Sequence, residues 1–191
     1  MQTDSPGEDR PGGPGARRIG LRAVLVGVGV CVVVALGLWA GTGRAITHAV
    51  AAHQQRTCLS NLRQLGLGCL VYCVDYSGPF PDGRVWSDLT LPYVLSLRMY
   101  QCPSLPDSPC GYAYNSALGG ASEEKLRVPD QVAMLFDGKG GWNDSGGAER
   151  VVERHEGFNC TFADGHAELV RGTHEVVWMP RYSQDLRPQP R

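Results

Sequence analysis

The sequence predicts an α+β fold in which a long N-terminal helix, first membrane-spanning and then amphipathic, packs on a small antiparallel β-sheet. Three observations lead there. Residues Ala23 to Gly43 form an uncharged run rich in Val and Leu, long enough to cross a hydrocarbon core as a helix. From Leu59 to Cys73, apolar residues recur at steps of three and four, the period of a helix with one buried face. Around Asp164-Gly165, two alternating segments read as a hairpin.

The first run is the most decisive. Seven Val and three Leu lie between Ala23 and Ala40, so insertion into lipid gains roughly 3 to 6 kcal/mol before interface terms. A buried soluble helix fits less well, because an all-round apolar helix beside a Pro/Gly-rich terminus would find little chain to cover it. A retained signal anchor is the favoured reading. A cleaved signal peptide is the alternative, and Leu38 makes a poor residue at the third position before a cut at Ala40. Arg10, Arg17, Arg18 and Arg22 precede the run while only Arg44 and Arg56 follow at comparable distance, which directs the N-terminus to the cytoplasm. Residues 1–19, with repeated Pro and Gly, are expected to be a disordered cytoplasmic tail, and residues 20–43 the transmembrane anchor.

About 148 residues remain, enough for one modest core but hardly two. They are expected to form one extracytoplasmic domain over 44–172, with a helix at 44–76, a β-rich part at 79–172 and a C-terminal tail at 173–191. The balance of 18 basic and 19 acidic residues offers no electrostatic footprint for nucleic acid. Six of the seven cysteines lie beyond the anchor, a usage that suits an oxidising compartment. Six thiols allow fifteen complete pairings. Cys102 and Cys110 are the favoured pair, since they bound a short loop with three prolines whose closure contributes about 2.5 kcal/mol in the chain-entropy model. Cys69 and Cys73 stand one helical turn apart, which suits a shared core face better than a disulfide. No pair of CxxC motifs exists for a zinc ribbon.

No proline falls between Arg17 and Pro79, so anchor and stripe can be one helix from about Leu21 to Tyr76. Gly41-Thr42-Gly43 and Gly66 to Gly68 weaken it, and Ser77-Gly78-Pro79 ends it. Beyond Pro79 the chain is punctuated by turn residues. Trp86 to Leu97 is expected as a short helix, Tyr112 to Asn115 and Val132 to Phe136 as strands, and Asp137 to Gly147 as a glycine-rich loop around Trp142. The hairpin over Phe158 to Val170 is expected to turn on two residues, Asp164-Gly165, of the type that needs positive φ at both. Phe162 then faces Ala167 and Cys160 faces Leu169, on a side shared with Phe158 and turned toward the Leu59 to Cys73 stripe. Thr161 and Glu168 fall on the other side.

Three stretches in order carry a family resemblance. Cys58-Leu59-Ser60-Asn61-Leu62-Arg63-Gln64-Leu65-Gly66, leading to Asp75-Tyr76 and Phe80-Pro81, resembles the helix exit of bacterial pseudopilin-like proteins with a prepilin-type N-terminus, common in planctomycetes. Leu91-Pro92-Tyr93 with Tyr100-Gln101-Cys102-Pro103-Ser104 is similar to their middle motif. Arg154-His155 and then Phe162-Ala163-Asp164-Gly165-His166 are similar to their C-terminal His-to-Asp-Gly motif. The resemblance implies a pilin-like fold, displayed outside the bacterial inner membrane on a single-pass anchor. The chain departs from the pattern at two places. Gly20 precedes Leu21-Arg22-Ala23-Val24-Leu25, without the opening Phe or the Glu at the fifth position, and that Glu is the residue thought to align neighbouring subunits in lipid. Eight residues separate His155 from Asp164, one fewer than the family's usual spacing.

Chemistry-bearing residues are sparse. His155, Asp164 and His166 are the weak candidates for a metal site, since two imidazoles and a carboxylate can share a divalent ion. A simpler account assigns Asp164 to its turn, His166 to the strand flank and His155 to a loop hydrogen bond. Asp137 beside Gly138 is a lesser candidate for calcium. No nucleophile elbow surrounds Ser116, and Gly138-Lys139-Gly140-Gly141 lacks the spacing of a phosphate loop. The expectation is therefore a non-enzymatic, membrane-anchored protein without a cofactor, acting through contacts with envelope or secretion-assembly proteins. An extracytoplasmic metal- or ligand-binding module and a small secreted hydrolase are the other two readings.

Overall fold

The computed structural model describes residues 20–182. The expected tail at 1–19 and the last part of the expected C-terminal tail, 183–191, lie outside the described residues. The chain divides into two compact units between Ile46 and Thr47. A single helix, α1 (Leu21–Asp75), contributes to both.

In the first unit, every described residue is exposed. The helix there is long and apolar enough to cross a membrane, and none of its most apolar window is buried against protein. An uninterrupted helix satisfies its own backbone hydrogen bonds, the condition for standing in lipid.

The second unit has a small mixed sheet. From Cys58 onward α1 buries Cys58, Leu62, Leu65, Cys69 and Cys73 together with Gly66 and Gly68. Each fully buried Leu contributes about 1.5–3 kcal/mol. The helix stops in a Schellman arrangement: Gly78 N–H donates to Cys73 O at 2.7 Å while Ser77 takes the left-handed conformation at φ 65°. The helix expected over Trp86 to Leu97 is shorter, α2 (Trp86–Thr90), and gives way to a 3-10 turn, Leu91–Tyr93. Trp86 is buried there, stacked 5.9 Å from Tyr114, with its indole N–H donating to Asp144 O at 2.9 Å.

The strands are β1 (Tyr112–Asn115), β2 (Ala133–Asp137), β3 (Ser145–Gly146), β4 (Phe158–Phe162) and β5 (Ala167–Val170). They lie in the order β3-β1-β2-β4-β5. The pairs β1–β2, β2–β4 and β4–β5 are antiparallel, but the two-residue β3 runs parallel to β1, so the sheet is mixed rather than purely antiparallel. The expected loop around Trp142 supplies that extra strand.

The hairpin corrects the predicted register by one residue. Thr161 pairs with Ala167 and Cys160 with Glu168, because the turn holds three residues, Ala163-Asp164-Gly165. Only Gly165 has positive φ, at 89°, while Asp164 does not. Gly165 N–H donates to Phe162 O and Phe162 N–H to His166 O, both at 2.9 Å. This is the three-residue loop with a glycine bulge rather than the two-residue turn. Leu169 consequently shares a face with Asn159, and Glu168 with Cys160.

The face assignment also changes. Asn159 and Thr161 look toward α1: Gln55 Nε2 donates to Asn159 Oδ1 at 3.3 Å, and a Cβ on Gly66 would stand 2.4 Å from Thr161 Cγ2. Phe158, Cys160 and Phe162 instead join Phe136 and Val176 in a second core on the opposite face. Within residues 173–182, expected as part of a tail, Val176 and Trp178 cover that face, while Val177 and Tyr182 pack against the first core. Trp178 sets its ring edge-on to Phe136 at 4.9 Å, and Val177 bridges to Val132. Burial on both faces of β4 is what the alternating pattern alone could not reveal.

Candidate functional site

Cys58 sits at the first buried position of the α1 stripe, Cys102 just after the 3-10 turn Leu97–Tyr100, Asp137 at the end of β2 and His155 in the loop before β4. Their ligand-type atoms, the two sulfurs, a carboxylate oxygen and a ring nitrogen, all lie within 4.8 Å of one another. Among the described residues this is the one such group of three or more. The sulfurs form a disulfide with Cα atoms 5.4 Å apart.

That disulfide replaces the expected Cys102–Cys110 pair. Cys110 is a buried free thiol whose Sγ donates to Tyr112 O at 3.4 Å, and burial pushes it up to about 12. The proline-rich loop therefore closes without a bond between its ends. Leu105 N–H donates to Cys102 O at 2.8 Å inside it. Cys69 and Cys73 are both free and buried on one helix face, as their spacing predicts.

Asp137 is fully buried, which is costly for a carboxylate unless it is paired and hydrogen-bonded. Its Oδ2 accepts from Asn159 N–H at 2.8 Å and Asn159 Nδ2 at 3.0 Å. Its Oδ1 faces Arg154 Nη1 at 3.4 Å. Burial pushes the Asp137 carboxyl up to about 6, while the Asn159 amide and the Arg154 guanidinium limit the rise. Arg154 is itself fixed by Gly111 O, at 3.1 and 3.0 Å from its two terminal nitrogens, and by Gly138 O.

His155 is half-buried, yet its Nε2 is buried and has no hydrogen-bond partner. Burial first, and then the neighbouring Arg154 charge, hold the imidazole below its ordinary value. It is thereby kept in the neutral form that can give a lone pair. Around the disulfide, Asn61 Nδ2 donates to Gln101 O at 3.0 Å and reaches Tyr112 OH at 3.4 Å. Helix, loop and strand are thus tied by covalent and polar contacts at one place.

Of the three metal candidates, only His155 belongs to this cluster. Asp164 and His166 occupy the hairpin tip, where Asp164 Oδ1 accepts from His166 N–H at 3.0 Å and meets His166 Nδ1 at 2.6 Å. The His166 ring stacks on Phe162 at 4.4 Å. They satisfy each other in a turn. Asp137, the lesser candidate, is a member of the cluster, and the pairing of Cys58 with Cys102 is not one the sequence singles out. A charged residue closing a buried apolar strand is the available signal for Asp137. Nothing in the spacing marks Cys58 as the partner of Cys102.

The donor set of two sulfurs, an imidazole and a carboxylate is of a kind that zinc takes. As a disulfide it can instead serve as a staple between α1 and the segment before β1. Comparison with protein-family models, with curated proteins and with solved structures finds no match to the chain.

Proposed function

We propose that the chain is a membrane-anchored, pilin-like protein of the bacterial cell envelope. In this reading it is non-enzymatic and acts through protein contacts of its extracytoplasmic domain, within an assembly of the secretion type. The observation that carries the reading is the change of character along α1. Its first part is apolar on every side and exposed, whereas from Cys58 onward it is amphipathic, with its apolar stripe buried against protein. A helix apolar all round is at home in lipid rather than in water.

Two further features support it. The Cys58–Cys102 disulfide suits an oxidising compartment. The three stretches that resemble the pseudopilin-like family also meet, since Cys58, Cys102 and His155 each come from a different one. The missing Phe and Glu after Gly20 favour an anchor that is retained over one that is processed and fed into a polymer.

The test uses full-length chain carrying Leu95→Cys, at an exposed site, in intact bacterial cells. A membrane-impermeant maleimide is expected to label it without lysis. The chain is expected to stay in the membrane fraction after alkaline carbonate, at its full mass. Labelling only after lysis, or release by carbonate, overturns the anchor and its orientation. In-membrane cross-linking is expected to capture partner subunits; monomers alone overturn the assembly reading.

A further inference from the structure

We propose that the Cys58–Cys102 disulfide is the oxidised form of a zinc-type metal site whose four ligands are Cys58, Cys102, Asp137 and His155. This inference concerns the cluster itself and stands whether or not the membrane reading holds.

A purely structural disulfide needs no ionisable neighbours, and an apolar setting serves it well. Here it is flanked by a fully buried carboxylate and by an imidazole whose Nε2 is buried without a partner. Zinc binds thiolate at about 2.3 Å, imidazole at about 2.0–2.1 Å and carboxylate at about 2.0–2.2 Å. Ligand atoms at the corners of such a tetrahedron stand about 3.3–3.8 Å apart. The four atoms already lie within 4.8 Å of one another, so once the bond is reduced the two sulfurs need only part, and the imidazole and carboxylate only adjust, by about an ångström to reach those corners.

The surroundings supply the supporting shell that metal ligands need. Asn159 holds Asp137 Oδ2 by two hydrogen bonds, leaving Oδ1 with only the long contact to Arg154. Arg154 would disfavour a cation beside neutral ligands. With two thiolates, one carboxylate and a divalent ion, however, the centre carries one net negative charge, and Arg154 neutralises it. In the oxidised form Arg154 and Asp137 neutralise each other. The buried site is electroneutral in both states, which avoids the cost of an unpaired buried charge.

Atoms and electrons balance in the exchange between the two forms. A dithiol reductant gives two electrons and two protons to the Cys58–Cys102 bond, leaving two cysteine thiols and becoming a disulfide itself. Zn²⁺ then displaces the two thiol protons to solvent, forming two Zn–S bonds, and accepts lone pairs from His155 and the Asp137 carboxylate. The metal would thus join α1, the segment before β1, the end of β2 and the loop before β4 where the disulfide joins only the first two.

The experiment titrates full-length chain in detergent micelles with Co²⁺, after reduction by a phosphine that is oxidised to its oxide with oxygen from water. One Co²⁺ per chain is expected, with the strong visible bands of a tetrahedral thiolate centre, displaced by one equivalent of Zn²⁺. Chain kept oxidised is expected to bind none. His155→Gln should weaken cobalt binding at least tenfold and change the spectrum while leaving the circular dichroism of the reduced chain unaltered. Asp137→Asn should weaken binding similarly. Absence of stoichiometric cobalt overturns the proposal, as does His155→Gln binding with unchanged affinity and spectrum, which would place the metal on other cysteines. A reduced chain that unfolds and is not refolded by cobalt overturns it too.

Discussion

On one face of the sheet α1 comes so near that the Thr161 methyl fills the space a side chain at position 66 would need. On the other face Trp178 lies over Phe136 and Phe158 with only one hydrogen bond of its own ring, to Thr173 O at 2.8 Å. The helix face is assembled from position-specific devices: a glycine, a disulfide, and amide contacts from Gln55 and Asn61. Buried aromatics stand in both cores, Trp86, Tyr100 and Tyr114 in the first and Phe136, Phe158 and Phe162 in the second, but the far face rests mainly on such packing. Devices of the first kind tolerate no change of shape, whereas apolar packing accepts substitution if volume is kept. The two faces should therefore respond differently to mutation.

The largest effect is expected from Cys58→Ser. It frees a bond that spans a sequence separation of 44, and the chain-entropy model gives about 4 kcal/mol for a loop of that length. Urea denaturation of oxidised chain in micelles should show a loss of that order, and reducing agent should destabilise the parent chain but not the variant. A loss below about 1 kcal/mol would mean that the disulfide does not distinguish the helix face from the far one.

On the far face, Trp178→Ala is expected to cost about 2–3 kcal/mol, less than the ~3–5 of a fully buried aromatic because the ring is only half-buried. Trp178→Phe should cost about 1 kcal/mol, since the face needs volume more than identity. If Trp178→Phe is as damaging as Trp178→Ala, the bond to Thr173 O matters more than the packing, and the contrast between the faces weakens.

Much of this contrast is legible in the sequence, but unevenly. The apolar run and the three-and-four stripe identify α1 almost to its observed ends, because burial of one helix face writes itself at fixed spacing. The strands at Tyr112 and Ala133 are legible as short apolar runs between turn residues. The hairpin is legible but not its register: Asp-Gly fits two turn types, and a single residue decides which face Leu169 joins. The cluster is not legible as a whole. Its members come from positions 58, 102, 137 and 155, and only the tertiary fold brings such separations together. Trp178 escapes a reading of the sequence because a short segment covering a sheet has no period to detect.

The sharpest test of the comparison is also the smallest in size, and it is a double-mutant cycle. Gly66→Ala places a Cβ 2.4 Å from Thr161 Cγ2 and 3.2 Å from Met134 Cε. The Met134 tip can swing aside, but Thr161 is held in β4 by its pairing with Ala167. Overpacking of this kind costs about 1–3 kcal/mol, while replacing glycine inside a helix returns about 1 kcal/mol. The net expectation is a loss of about 1 kcal/mol in the parent chain. Thr161→Ala removes the offending methyl together with a hydroxyl that is buried without a partner, so it should be nearly neutral alone. In that background only the helix-propensity gain remains, and Gly66→Ala should stabilise by about 1 kcal/mol, giving a coupling of about 2 kcal/mol between the two positions. Equal effects of Gly66→Ala in both backgrounds would mean that Thr161 does not set the approach of α1 to the sheet, and that Gly66 is a helix-weakening residue with no packing role.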